Sequence, residues 1–488
     1  MATYSLTVSD SQSPDRLSDA VPRPLWWDWL GERPARPPFD SGDTGSAIGS
    51  GGGSTAEPVD VAIVGAGFSG LWTAYHLLEL DPTLRIVVLE KHHVGFGASG
   101  RNGGWAVGEL AGSYAAYAKR SNPDAALRLE QAVMDAVDEI GRIIERLGIG
   151  CGYAKGGNIR VARTAPQRDR QRDDVTHAHA IGHDESVVRL LDPDETSAIV
   201  GMSNVRGGVF FSPCAALDPA RLASGLAEHV EANGATIHEG TTVTSIEPHR
   251  VVTDRGALEA RTVVCAAEAY RRDLDGQRRD LLPVYSYMVA TEPLPASMWN
   301  DIGLAERPTF DDARTMVTYG QRTADDRIAF GTTGLPYRFG SVIDRSTEFD
   351  RRTHANVHAV LTELLPQVTD VPITHRWGGV LGIPRNWLPS LHHDASTGLA
   401  TLGGYVGEGV AAAQLAGRTL AELIAGHDTE RTRLPWVGAT SKKWEPEPLR
   451  WLGVRGSRAL LAAADRREER TDHPAALAMK LADGLRGQ

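Results

Sequence analysis

Apolar and polar positions follow the clearest pattern between residues 59 and 90. A β-branched run, Val59-Asp60-Val61-Ala62-Ile63-Val64, meets a glycine cluster and then the helix formers Leu71 to Leu80; a second run, Arg85-Ile86-Val87-Val88-Leu89, ends on Glu90. Such runs predict strand, tight turn, helix and strand. Further on, Asn122 and Pro123 open a long helix whose stripe is Val133, Val137, Ile140, Ile144 and Leu147, closed by Gly148. Gly157 to Val161 reads as a strand, the charged stretch Thr164 to Gly182 as an exposed helix, and Val209-Phe210-Phe211 as another strand. From Asp218 a helix to Asn233 leads into strand-like runs at Ala235 to His238, Thr242 to Ile246, Val251 to Thr253 and Arg261 to Ala267. Residues 276–374 change texture, with strands predicted at Val284 to Thr291, Thr315 to Tyr319 and Arg327 to Gly331 and a helix near Ser346 to Leu365. A last glycine cluster, Gly403 to Gly409, opens a helix running to Gly426 with a stripe of Val410, Ala413, Gly417, Leu420 and Ile424, and two more helices are expected in the tail.

The first glycine cluster carries chemistry. In Gly65-Ala66-Gly67-Phe68-Ser69-Gly70 the first glycine allows the turn, the second lets a pyrophosphate approach the backbone, and the third lets the helix pack closely on its strand. The N–H groups of the helix start then face the phosphates. Glu90, with Lys91 beside it, lies twenty positions beyond Gly70, where a carboxylate accepts hydrogen bonds from ribose hydroxyls and disfavours a 2′-phosphate, against NADP. Just downstream, His92 to Trp105 forms a loop with five glycines. Its Gly97, Ala98, Ser99, Gly103 and Gly104 suit a backbone laid along a phosphate and ribityl chain, with Arg101 and Asn102 as polar anchors and Trp105 at its end.

At this loop the chain resembles the D-amino-acid-oxidase-like flavoprotein superfamily, in which Gly-Ala-Ser-Gly-Arg-Asn-Gly-Gly follows the nucleotide strand and wraps the flavin. Within it, the chain is most similar to the branch of small-amine oxidases typified by gamma-glutamylputrescine oxidase. The resemblance implies FAD, with Val243 meeting the adenine and Ala266-Ala267 passing near the pyrophosphate. It also implies a third flavin segment, Trp377 to Pro389 with Gly379, continuing through Gly404, Tyr405, Gly407, Glu408, Gly409 and Val410. Relatives usually read Gly-Tyr-Ser-Gly-His-Gly there; Val406 and Glu408 stand in place of the serine and histidine. The expected fold is α/β in two domains (α+β in its two-domain layout): a discontinuous Rossmann-like FAD-binding domain (59–155, 213–275 and 375–430) and a mixed or antiparallel sheet for the substrate (156–212 and 276–374). An N-terminal extension (1–58) and a C-terminal helical extension (431–488) flank them.

Composition narrows the class. There are 62 acidic and 51 basic residues among 488, so no basic field points to nucleic acid or an anionic membrane, and no apolar run reaches the length of a span. Three scattered cysteines and the pair His177 and His179 offer neither a disulfide framework nor a metal site. A polar start without an apolar signal core fits a reducing cytoplasm. Trp26, Trp27 and Trp29 crowd the extension, which is expected to lie over the body or to form a subunit contact leading to a homo-oligomer; Thr44 to Thr55 reads as a Gly/Ser-rich linker.

The family chemistry is removal of hydride from a C–H beside nitrogen, where the protein mainly positions the substrate. Amino-acid-oxidising relatives clamp the carboxylate with an arginine at a position that falls on Leu381, so a small amine is favoured, with Arg338 or Arg385 as substitutes for that clamp. Tyr319, Trp377 and Glu408 are the catalytic candidates, and Tyr337, Arg338, Leu381 and Arg385 the substrate-binding ones. No cysteine follows Cys265 and no histidine stands at Trp105, so the FAD is expected to be non-covalent. O₂ is the expected acceptor, although no lysine occurs from 156 to 441. The alternatives are an amino-acid or N-methyl amino-acid oxidase or dehydrogenase using another acceptor, and a non-turnover flavoprotein assembly subunit.

Overall fold

Two eight-stranded sheets organise the chain in a computed structural model that describes residues 16–33, 36–40, 57–332 and 337–486. The Gly/Ser-rich stretch 44–55 lies outside the described residues. Apart from Asp60 near its start, Val59–Val64 is apolar and buried on both sides, as a central parallel strand must be. It pairs in parallel with Ile86–Leu89 and with Gly256–Cys265, which put Ile86 and Thr262 opposite Val61. The main path of this first sheet runs Ser390–Asp394, Leu399–Gly403, Gly256–Cys265, Val59–Val64, Ile86–Leu89, Thr236–His238. One large core, including Trp72, Ile140, Leu222 and Leu420, joins it to the helices Phe68–Leu80, Pro123–Leu147, Pro219–Ala232 and Gly409–Ile424.

The second sheet runs Ile373–Pro384, Leu281–Thr291, Ile328–Thr332, Thr318–Arg322, Thr309–Asp312, Asn158–Ala162, Gly207–Phe211, Val188–Leu191. It is antiparallel except where Thr309–Asp312 meets Asn158–Ala162. Tyr285, Phe310 and Phe330 pack from it against Val357 and Leu361 of the helix Arg351–Leu364.

Three details differ from the sequence expectation. Residues 375–384, placed with the flavin domain, are hydrogen-bonded into the second sheet, because the strand Ile373–Pro384 pairs along its whole length with Leu281–Thr291. The single helix expected over Ser346 to Leu365 is a 3₁₀ turn, Arg345–Phe349, and then the helix Arg351–Leu364. Asp350 interrupts it by capping the second piece, accepting from the Thr353 N–H at 2.8 Å. The strand expected from Thr315 begins at Thr318, since the Asp465 carboxylate takes the N–H groups of Thr315 (2.8 Å) and Met316 (3.0 Å) out of the ladder.

The tryptophan-rich arm lies on its own chain. Val21 donates to Thr374 O at 2.8 Å and accepts from Arg376 N–H at 3.0 Å, covering the edge of the second sheet. Trp26 is 1% exposed. The tail helices Leu449–Thr471 and Ala476–Arg486 pack on each other. Among the described residues no helix is long and apolar enough to cross a membrane.

Candidate active site

A cavity of about 470 Å³ opens at the carboxyl ends of the parallel strands of the first sheet, the position where open α/β sheets bind ligands. Four separated pieces of chain line it. Gly65, Gly67, Phe68 and Ser69 come from the first turn, with Glu90, Lys91, Gly97, Ala98, Ser99 and Asn102 from the following strand end and loop. Val243, Ala266 and Ala267 come from the resumed sheet, and Leu381, Tyr405, Gly407, Gly409 and Val410 from the last segment.

The glycine turn is a cradle that side chains would fill. A Cβ on Gly65 (φ 107°) would stand 2.8 Å from Ala266 O, one on Gly67 2.8 Å from Ser99 Oγ, and one on Gly70 2.0 Å from Gly65 O. Gly67 caps the helix Phe68–Leu80 without a side-chain hydrogen bond, which leaves the helix start available to an anion. Phe68 N–H donates to Ser99 Oγ at 2.8 Å, and Ser69 Oγ lies 3.0 Å from Tyr405 OH, so the first turn is tied to both later segments. Glu90 accepts from the N–H groups of Ala66 and His92, both at 2.9 Å; burial still raises its carboxyl above the usual range.

The loop's polar residues mostly fold the loop itself. Asn102 Nδ2 donates to Ala98 O and Ser99 O, both at 3.0 Å, while its Oδ1 accepts from Gly104 N–H at 2.7 Å. Arg101 does not line the cavity: it is buried against Glu348 at 2.7 Å, donates to Gly378 O at 3.2 Å, and its guanidinium carbon lies 4.5 Å from the Phe96 ring centroid. Gly379 is held small by that side chain, since a Cβ there would come within 3.0 Å of Arg101 Cδ. Gly103 and Gly104 stand behind the cavity, where Gln321 Nε2 donates to Gly103 O at 2.7 Å and to Leu217 O at 3.1 Å. Trp105 begins a strand and meets Tyr319 edge-on at 6.2 Å.

The catalytic and substrate-binding candidates scatter. Tyr319 OH lies 2.5 Å from Ser286 Oγ, its ring abuts Gly103 and Gly331, and burial pushes its phenol up to about 12. Trp377 is fully buried beneath the loop, donating Nε1–H to Arg101 O at 2.8 Å. Arg338 pairs with Asp344 at 2.8 Å, Tyr337 OH donates to Glu447, and Arg385 pairs with Glu445 at 2.9 Å beside a different cavity. Leu381 does line the first cavity. Glu408 sits between the lining residues Gly407 and Gly409 as cap of the helix Gly409–Ile424; burial, reinforced by the Glu109 carboxylate, pushes it up to about 8. Gly404 N–H donates at 3.0 Å to Glu268, a lining residue that sequence reasoning passed over although it directly follows Ala266-Ala267. Thr241, Thr242, Thr244, Phe96 and Tyr270 were likewise passed over; they carry no motif of their own, Thr244 lying in the strand Val243–Glu247 and Tyr270 in the 3₁₀ turn Glu268–Asp273.

A family model described as FAD dependent oxidoreductase, DAO, matches residues 60–423. The chain belongs to this family. The DAO-family chain is 30% identical over 384 residues to a probable oxidoreductase, OrdL, of Haemophilus influenzae, covering 76% of this chain and 84% of that one. It is 29% identical over 377 residues to the gamma-glutamylputrescine oxidoreductase of Escherichia coli, with the same coverage. Among solved structures, the glycine oxidase of Geobacillus kaustophilus superposes with a TM-score of 0.64 at 23% identity, over 76% of this chain and 95% of that one. Like its relatives, the DAO-family chain is an FAD-dependent oxidoreductase with a Rossmann-like FAD domain. The glycine cradle, the uncapped helix start and Glu90 are the features that would hold the dinucleotide's phosphates and ribose.

Proposed function

We propose that this enzyme oxidises a C–N bond of a small amine to an imine, which water then splits to a carbonyl compound and an amine or ammonia, with O₂ as acceptor and H₂O₂ as product. The observation that carries the reading is the lining of the cavity. Leu381, Val380 and Val410 are apolar, and no arginine is found among the described lining residues. Leu381 offers a carboxylate next to the reacting carbon no bidentate partner, and Arg160, whose charge acts on Glu408, is already held by Asp311 at 2.6 Å and Glu109 at 3.6 Å. Non-covalently bound FAD supplies the hydride acceptor, and the chain's residues bind, orient and manage protons around it. The helix Gly409–Ile424 points its first turn at the cavity through Gly409 and Val410, so its free N–H groups favour negative charge there. Glu408 at that helix start has its carboxyl pushed up to about 8, so near neutral pH it is mostly protonated and leaves this field uncancelled. Above that pH its carboxylate is the group we assign to accept the proton of the substrate ammonium, leaving nitrogen with the lone pair that oxidation requires. Arg101, Asn102 and Gln321 act as positioning residues for the loop.

The test is an aerobic peroxide assay on purified protein over alkylamines, diamines, γ-glutamyl amines, N-methyl amino acids and α-amino acids. Peroxide from amines with no carboxylate on the reacting carbon is the expected result. Activity confined to α-amino acids would overturn the amine reading, and anaerobic bleaching of the flavin without aerobic peroxide would replace O₂ by another acceptor.

A further inference from the structure

The two tail helices, Leu449–Thr471 and Ala476–Arg486, lie beyond the segment that the family model matches and pack on each other. The first turns Leu461, Ala464, Asp465 and Glu468 towards the body, where all four are buried. On its opposite side Leu452, Ala459, Ala463, Arg466 and Arg470 recur at helical spacing, and every one is exposed. The second helix adds Leu477, Leu481 and Leu485 at a spacing of four, with Leu477 74% exposed. The two stripes meet: Leu485 lies against Gly456, where a Cβ would come within 3.3 Å of its Cδ1. Exposed leucines scattered singly need no explanation, but a run along two adjoining helices marks a surface that something covers.

Charge identifies the occupant. The chain as a whole carries a net charge of −11, yet residues 449–488 hold eight lysines and arginines against five acids. Contacts within the fold engage the acids. Asp465 accepts from Thr315 N–H at 2.8 Å, Glu468 pairs with Arg170 at 2.9 Å, and Asp472 accepts from Ala165 N–H at 2.7 Å. Glu469 lies 4.0 Å from Arg314, and Asp483 pairs with Arg486. The cations are left over: Arg455, Arg466, Arg467, Arg470 and Lys480 are exposed and form no ion pair among the described residues. We propose that this helical pair is a docking surface for an anionic lipid bilayer, its leucines entering the headgroup boundary while the arginines and Lys480 meet lipid phosphates. A second copy of the chain fits the surface less well. Two-fold pairing of this face sets arginines against arginines with the neighbouring acids already engaged, whereas lipid phosphates neutralise them. The overall excess of acids, which points away from such a surface, averages this local reversal out. The proposal depends on neither the amine nor the electron acceptor.

Cosedimentation of the FAD-loaded, full-length protein with vesicles tests the surface without turnover. Vesicles of phosphatidylcholine with about one quarter phosphatidylglycerol should bind it at least tenfold more tightly than pure phosphatidylcholine, and salt at about 0.5 M should cut that binding at least tenfold. Arg466→Glu/Arg470→Glu and, separately, Leu477→Ser/Leu481→Ser should each weaken binding at least tenfold, with the visible flavin spectrum and the melting temperature unchanged. All four side chains are exposed, so neither variant touches the buried face of its helix. Lys480→Glu should weaken binding as well, whereas Lys119→Glu, the same charge change at an exposed lysine elsewhere, should not. No binding to the anionic vesicles, equal binding to both vesicle types, or binding that survives either double variant would overturn the proposal. A protein that is dimeric in solution, becomes monomeric in the leucine variant and ignores vesicles would overturn it too, giving the surface to a second copy.

Discussion

Glu268 shows what a single residue contributes to the cofactor cleft. Its backbone lies in the left-handed region, φ 44°, which costs a residue with a Cβ of the order of 1 kcal/mol. The offsetting gain is its carboxylate, which accepts from the N–H groups of Gly404 (3.0 Å) and Tyr405 (3.3 Å) and so fixes the turn before the helix Gly409–Ile424. Burial pushes the Glu268 carboxyl up to about 7. Below the ordinary glutamate range both folded and unfolded chains hold this proton, and the contribution to stability is complete. As pH climbs towards 7 the unfolded chain gives up its proton first, so unfolding becomes progressively easier. Glu408 and Asp218, pushed up to about 8 and about 7 by burial, act in the same direction. The apoprotein should therefore lose thermal stability between pH 5 and 8. Glu268→Gln keeps an acceptor oxygen for both N–H groups and should flatten that slope, removing a pH-dependent term of at most about 3 kcal/mol. Thermal denaturation of both proteins across that range checks this, and parallel slopes would show that Glu268 does not titrate there.

At the scale of elements, the flavin domain depends on how closely two helices cross. Gly417 of the helix Gly409–Ile424 faces Trp72 and Thr73 of the helix Phe68–Leu80; a Cβ there would stand 2.7 Å from Trp72 Cβ and 2.8 Å from Thr73 N, so backbone must move. Gly417→Val should cost about 1–3 kcal/mol and weaken FAD binding, because both helices present their first turns to the cleft. Gly453, in the helix Leu449–Thr471, has nothing within 4 Å of its Cβ position, and Gly453→Ala should instead stabilise by about 0.5–1 kcal/mol. Calorimetric melting of the two variants separates packing from propensity. This contrast also explains what the sequence made legible. The strands, the long helix Pro123–Leu147 and the glycine turn could be read because periodicity, caps and glycine spacing are local signals. The paired environments of Arg101, Arg338 and Arg385 could not, since Glu348, Asp344 and Glu445 reach them through tertiary packing. The same holds for Trp377, whose indole serves the loop 276 positions away in sequence rather than a substrate. The start of the strand Thr318–Arg322 was likewise hidden, because Asp465 in the tail helix Leu449–Thr471 decides it.

On the scale of the whole molecule, the arm that precedes the family domain is part of the apparatus that shapes the cleft. Trp26 is buried between Trp29 and Trp377, with ring centroids 5.5 and 6.2 Å away, and donates its indole N–H to Asn102 O at 2.9 Å. Asn102 folds the cavity-lining loop, so the arm reaches the cleft through one side chain. A latch holds the arm in place: the Asp28 carboxylate accepts from His375 at 2.8 Å and also pairs with Arg23. Trp26→Ala would open a cavity at the junction of arm, loop and second sheet and should destabilise the protein by about 3–5 kcal/mol. The same change should loosen the loop and weaken FAD binding at least tenfold, whereas Trp27→Ala, at a half-buried position without that hydrogen bond, should do less of both. Fluorescence titration of the apoproteins with FAD, alongside thermal melting, distinguishes two roles for the arm. Lower stability with unchanged FAD affinity would make it a cover for the sheet edge alone; a joint loss would show that residues beyond the family domain set the shape of its cofactor site.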